Sequence, residues 1–171
     1  MSSNSRDAVM GAIRKALGAR GDEPGRRGTV RARLERSPHG VKPERALQPR
    51  DELPDLMAAN LKALGVTVHM LDSAAELPRA VAAQLAGFNL PARLRHGEDP
   101  LLCAIDWRGT AVETLRGPAE GVDAVSLRHA VYGAAETGTL VLISGVDNPS
   151  TLNFLPETHF VVLRSLDIRS S

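Results

Sequence analysis

Apolar residues recur at helical spacing in three stretches and run almost unbroken in two others. Val9, Ile13, Ala16 and Leu17 lie three to four residues apart, with Ala12 on the same face, and predict a helix over residues 5–17. Asn4 or Ser5 can cap its start and Gly18 its end. A helix this short is marginal alone in water and is expected to dock on something. Leu53, Leu56, Met57, Leu61 and Leu64 repeat the spacing before a C-capping Gly65. Residues 66–71 are rich in β-branched side chains and predict a strand. Ser73 and Glu76 form a capping-box pattern ahead of Leu77, Val81 and Leu85. Helix, strand and helix in succession favour an α/β architecture.

The centre of the chain is punctuated by Pro100, Gly109, Gly117 and Pro118. Short strands are expected over 90–95 and 101–105, an antiparallel arm over 110–115, a strand over 123–127 and a short helix over 129–135. Residues 139–143 and 158–163 are nearly continuous apolar runs, as strands buried on both faces would be. No internal repeat is visible. The expected fold is a mostly parallel open sheet with flanking helices.

Residues 20–50 follow neither period. They hold nine of the 21 basic residues and four acids, a local charge of +5 in a chain of net +1. Pro24, Pro38, Pro43 and Pro49 interrupt them. The expected organisation is therefore an N-terminal helix over 1–19, a solvated, mobile linker over 20–50 and an α/β domain over 51–171. The alternative use of the segment is as a basic arm for nucleic acid or an acidic partner. Only 3% of residues are aromatic, so stacking platforms for bases are scarce and a nucleic-acid partner is not expected.

The single cysteine, Cys103, excludes an internal disulfide and any iron–sulfur cluster or zinc site built from this chain's thiolates. Its apolar neighbours suit an inert buried thiol better than a nucleophile. The five histidines lack metal-ligand spacing, so neither metal nor cofactor is expected in this chain. No apolar run is long enough to span a bilayer, and residues 1–7 lack the pattern of a signal peptide. A cytoplasmic location is expected.

Polar chemistry is densest around Ala134-Ala135-Glu136-Thr137-Gly138-Thr139, read as a helix-to-strand turn. Gly138 permits positive φ or close approach of a ligand, and the hydroxyls and N–H groups of Thr137 and Thr139 can hold an anion. The same residues also suit a plain capped turn. Ser144-Gly145-Val146-Asp147-Asn148-Pro149-Ser150-Thr151 follows the next strand, where α/β sheets bind ligands. Asn148 can cap a helix beginning at Pro149. Glu157 and His159 would share a strand face and form an acid–base pair. The candidate site is thus Glu136 as the catalytic carboxylate, with Thr137, Gly138, Thr139, Asn148, Ser150, Thr151 and His159 as ligand contacts. The two loops lie at either end of one strand, so a single cleft requires the chain to fold back or a second subunit to contribute.

The stretch from Ala134 through Thr139-Leu140-Val141-Leu142, followed by Leu155-Pro156-Glu157-Thr158-His159-Phe160-Val161-Val162, resembles the signature of the LutC/YkgG family, the LUD-domain proteins of lactate utilisation. Glu136, Thr137, Gly138, Thr139, Pro156 and His159 match its motif. Ile13-Arg14-Lys15-Ala16-Leu17 followed by a variable linker is also similar to that family. The resemblance is fullest over residues 121–163 and partial over 5–19 and 51–71. It implies a fold related to the NagB/RpiA/CoA-transferase group and a subunit supporting oxidation of L-lactate to pyruvate. Iron–sulfur clusters would then belong to partner subunits. Members of the family usually continue past the strand at 158–163 with a Gly-Pro-Ser-like loop, a helix and a strand. A ligand site completed there would here be incomplete or supplied by a neighbour, which leaves a homo-oligomer open. Two other functions stay in view: an independent CoA-transferase- or isomerase-like enzyme using Glu136, and a nucleic-acid-binding regulator acting through residues 20–50.

Overall fold

The computed structural model of the chain describes residues 3–18, 23–36, 40–41 and 43–171. Arg20 and Pro38 of the expected linker lie outside the described residues. The chain divides into two compact units, Met1–Val41 and Lys42–Ser171.

Among the described residues the first unit holds two helices. α1 spans Ser3–Leu17, so Asn4 and Ser5 lie inside it rather than at its cap. Gly18 ends it at φ +59°, with its N–H donating to the carbonyl of Lys15. α2 spans Pro24–Arg36 and buries no residue. It places a helix that buries no residue inside the segment expected to be a solvated linker over 20–50. Proline at its first position is compatible with a helix start, and the i,i+4 pair Arg31–Glu35 supports its surface.

The second unit carries the sheet. α3 (Leu53–Ala63) and α4 (Leu77–Gly87) begin with proline in their first turn. Between them residues 66–71 form no strand. Gly65, at φ +82°, ends α3, and the β-branched run that follows is largely solvent-exposed and pairs with no strand among the described residues. Then come β1 (Arg93–His96), α5 (Pro100–Cys103), β2 (Glu113–Arg116), β3 (Val125–Ala130), β4 (Tyr132–Ala134), β5 (Thr139–Val141), α6 (Thr151–Phe154), β6 (Thr158–Leu163) and β7 (Ile168–Arg169).

Four strands form a parallel sheet in the order β2-β1-β3-β6. Arg95 pairs with Ser126, and Ser126 with His159. Three shorter strands form a second sheet, β5-β4-β7, with β4 antiparallel to β5 and parallel to β7. The expected mostly parallel α/β sheet is present, with local corrections. The apolar run at 101–105 begins as a helical turn because Asp99 caps it and Pro100 opens it. Residues 129–135 are the end of β3 and all of β4, not a helix. The run at 139–143 is not a doubly buried strand. Only Thr139–Val141 pairs, on an exposed sheet edge, and Ile143 is 60% exposed. β2 is parallel to β1, not an antiparallel arm.

One core cluster lies between α4, α5 and the main sheet, joining Leu77, Val81, Leu85 and Leu102 to Leu94, Val125 and Leu127. A second joins Leu53 and Met57 of α3 to Ala135 and Ile168. β3 is buried at all six positions, including Ser126, Arg128 and His129. Central parallel strands are covered on both faces, and here Ser126 and Arg128 lie on one face and His129 on the other.

Candidate functional site

After β1 the chain places β2 on one side and then crosses to place β3 on the other. The strand order therefore reverses between β1 and β3. At such a reversal the loops leaving the carboxyl ends diverge and open a crevice, the usual ligand site of open α/β sheets.

Polar groups from three separate parts of the chain meet there. Asp99 follows β1, and its Oδ1 accepts from the Leu101 N–H at 2.9 Å. Its Oδ2 lies 3.2 Å from Nδ1 of His129, near the end of β3. Asn148, from the loop after β5, brings Nδ2 to 3.5 Å from the same oxygen. Both Asp99 and His129 are buried. Burial alone would push the Asp99 carboxyl up. The hydrogen bond and charge of His129, with the N–H groups of Leu101 and Leu102, outweigh it and hold the carboxyl below its ordinary range. A carboxylate on Nδ1 fixes the imidazole so that Nε2 is the basic atom of its neutral form. That atom is buried and meets no partner. The pair is chemically competent to take a proton from a ligand hydroxyl at Nε2.

The loop leaving β5 is seated by backbone contacts. Glu98 N–H donates to the carbonyl of Asp147 at 2.6 Å. A Cβ on Gly97 would stand 2.2 Å from that carbonyl oxygen, so a glycine is required at the end of β1. On the other side of β3, the Arg128 guanidinium donates to the carbonyls of Pro149 and Ile143 at 2.8 and 3.0 Å. Burial pulls its pKa down, opposed by the charge of Asp99.

Of the residues expected in the site, the structure brings Asn148 to this crevice. Pro149 joins it through its carbonyl and does not open a helix; α6 begins at Thr151 with Ser150 before it. Ser150 is exposed and makes no capping bond, while Thr151 Oγ1 accepts from the Ala119 N–H at 3.0 Å. His159 lies on β6 beside Ser126. Burial, and then the charge of Arg128, hold its pKa below the usual imidazole value, and its Nε2 has no partner. Glu157 precedes β6 and is exposed; no bond joins it to His159 among the described residues.

Glu136, Thr137, Gly138 and Thr139 go elsewhere. They form the tip of the β4–β5 hairpin, not a helix-to-strand turn. Asn60 of α3 donates through Nδ2 to the carbonyls of Ala135 and Glu136 at 2.6 and 3.2 Å. Gly138 sits at φ +65°, and a Cβ there would meet Asn60 and Leu61 at 3.2–3.3 Å. The hydroxyls of Thr137 and Thr139 bond each other at 2.7 Å. This tip and the loop carrying Asn148 occupy opposite ends of β5, and no hydrogen bond links them among the described residues.

Asp99, Arg128 and His129 were missed in the sequence reading. The Asp99-Pro100 pair has the chemistry of a helix start, although a strand was expected over 101–105, and nothing in the spacing of 99, 129 and 148 announces convergence. Cys103 lies 3.7 Å from Glu98 Oε2. Burial raises its pKa, and the acidic neighbours add to this against the opposing charge of Arg116. It is a thiol, not an activated nucleophile. Among the described residues no group of three or more His, Cys, Asp or Glu is placed to hold a metal ion, and no helix is long and apolar enough to cross a membrane.

The fold is shared with a DUF162-family protein from Deinococcus radiodurans known from a crystal structure, at a TM-score of 0.58 and 24% identity over 71% of this chain and 74% of that one. No curated protein matches the chain. The family model of the LUD domain matches residues 55–171, the whole of the sheet and the crevice at its strand ends. The chain belongs to the LUD-domain family.

Proposed function

We propose that this chain is a LutC-like subunit of a lactate-utilisation system, supporting the oxidation of L-lactate to pyruvate in the cytoplasm alongside iron–sulfur partner proteins. The observation that carries this reading is the LUD-domain match over residues 55–171. The lone Cys103 agrees with it, since clusters held by several thiolates must then reside in other subunits. In this reading the chain contributes ligand binding or assembly, and electrons move elsewhere. The test is a tagged chain isolated from cells grown on L-lactate, together with growth of a deletion strain. Iron–sulfur proteins should co-purify, and growth on L-lactate should fail selectively. Unchanged growth and a chain isolated without iron-containing partners would reject the proposal.

A second reading makes the chain an enzyme in its own right, and the buried Asp99–His129 pair favours it. Turnover of an acyl-CoA or a sugar phosphate by the purified chain, abolished by His129→Gln, would support that reading over the first.

A further inference from the structure

Arg128 is fully buried, and none of the ion pairs among the described residues includes it. Its Nη1 and Nη2 donate to the carbonyls of Pro149 and Ile143, while its Nε–H meets no acceptor. A guanidinium is a planar fork suited to two coplanar oxygens of a carboxylate or phosphate, and a buried cation is costly when no carboxylate bonds to it; the charge of Asp99 acts on Arg128 without a bond between them. Here two backbone carbonyls stand where an anion's oxygens would fit.

Both carbonyls belong to the segment 142–150, whose fastenings to the strand ends are polar. Beyond the two bonds from Arg128 they are the Glu98 N–H to Asp147 bond and the long contact from Asn148 to Asp99. Ile143 and Val146 are 60% and 97% exposed, and Leu142 and Pro149 are half-buried, so no apolar residue of the segment is fully buried. A segment with so little buried apolar surface opens far more readily than the domain unfolds. On the same sheet face, the Nε2 of His159 is also buried and unpartnered. On the opposite face Asn148, through Asp99, covers the His129 pair, so one movement of the segment uncovers both sides of β3.

We propose that Arg128 anchors an oxyanion site at the carboxyl end of β3, closed by residues 142–150, and that a small carboxylate or phosphate takes the place of the Ile143 and Pro149 carbonyls when this lid lifts. The site is argued from Arg128 and the lid alone and does not depend on a role in lactate oxidation.

Hydrogen–deuterium exchange over residues 142–150 of the full chain tests it, at constant ionic strength, with sodium L-lactate, inorganic phosphate and sodium chloride added separately. At least one oxyanion should change exchange in the lid saturably while chloride does not. A response to L-lactate alone identifies the ligand as a carboxylate, one to phosphate alone as a phosphate, and one to both as the shared oxyanion chemistry. Arg128→Gln should weaken the response at least tenfold. Asn148→Ala, at a half-buried position where truncation spares the core, should strengthen it by removing one lid fastening, and it keeps the test decisive if the Arg128 variant does not fold. If neither oxyanion exceeds chloride in the natural chain and in Asn148→Ala, or if a folded Arg128→Gln responds like the natural chain, Arg128 is only a staple for the loop and the proposal is overturned.

Discussion

The tip of the β4–β5 hairpin and the carboxyl ends of β1 and β3 are both polar, and they differ in where their polar residues come from. At the hairpin tip Glu136, Thr137, Gly138 and Thr139 are consecutive, and their bonds include those to each other, to the carbonyls of Ala134 and Ala135, to Asn60 of α3 and, through the Glu136 N–H, to the carbonyl of Ser170. At the strand ends Asp99, Arg128, His129 and Asn148 come from three separate stretches, and four of their polar atoms or neighbours' atoms are left buried without partners: Arg128 Nε, His129 Nε2, Asn148 Oδ1 and His159 Nε2. Density along a chain is most often local turn chemistry, because hydroxyls and amides close bonds with nearby backbone. Convergence with unmet hydrogen-bonding capacity marks the better candidate for a ligand, since buried polar groups are otherwise nearly always paired.

The sharpest way to break this contrast is at its two glycines. Gly97→Ala drives a Cβ into the Asp147 carbonyl, a backbone atom that gives way only by displacing the 142–150 segment from its fastenings. A loss of about 3 kcal/mol is expected, at the upper end of overpacking costs, read from the denaturation midpoint. Gly138→Ala meets α3 at a longer 3.2–3.3 Å, from a left-handed backbone, and should cost about 1–2 kcal/mol. If Gly138→Ala proves the more damaging, the hairpin tip is the tighter of the two regions and the assignment of the crevice weakens.

Asn60→Ala isolates the docking of the hairpin. It strips the donor from two carbonyls and should cost about 1–3 kcal/mol, the usual penalty for leaving partly buried groups unmet. The oxyanion response of the 142–150 segment should persist in the folded variant. A lost response would mean that hairpin and crevice act as one unit.

This contrast also explains what could be read from the sequence. The helices over 53–63 and 77–87, and the strand over 158–163, were legible because their periods or compositions match one element only. The sheet's polar face was not. Ser126, Arg128 and His159 sit in central or neighbouring strands where charge is unexpected, and only the β3–β6 register reveals that they adjoin. Val66 to Met70 misled because β-branched content reports a preference for a pleated, half-buried surface, which requires a neighbouring strand, and residues 66–71 pair with none among the described residues. Residues 139–143 misled because an apolar run bounded by turns reads alike for a central strand and for a hairpin edge. The Arg-rich α2 was hidden by glycines and by the absence of any apolar stripe.

Acid titration separates the two regions with smaller effects. Burial, opposed at His96 by the Gly97 carbonyl, holds the imidazoles of His96 and His159 below the ordinary 6.5. The unfolded chain therefore binds protons that the folded one refuses. Stability is full above about pH 6.5 and falls as the pH drops through that value toward the folded pKa values. Asp99 acts in the same direction lower down: its folded pKa lies below 3.8, so its contribution holds above that value and is lost as the pH falls through the folded one. His159→Gln should flatten the upper part of this profile in urea titrations between pH 7 and 5. A profile unchanged by that substitution would mean that His159 is protonated as readily in the folded chain as in the unfolded one, and the polar face of β6 would not be dry.

The smallest expected effect belongs to the residue that the sequence singled out first. Glu136 is half-buried at the hairpin tip, and its backbone is held by Asn60 and by the bond from its N–H to the carbonyl of Ser170. Glu136→Gln keeps the size and the backbone bonds and removes only the charge. A change within about 1 kcal/mol is expected, the centre of the range for point substitutions, with no change in lid exchange and no loss of growth on L-lactate at matched expression. Should growth collapse while the denaturation midpoint stays put, the carboxylate is chemical. The hairpin tip would then be the reactive centre, and the unmet polar atoms at the strand ends would serve to hold the loop in place.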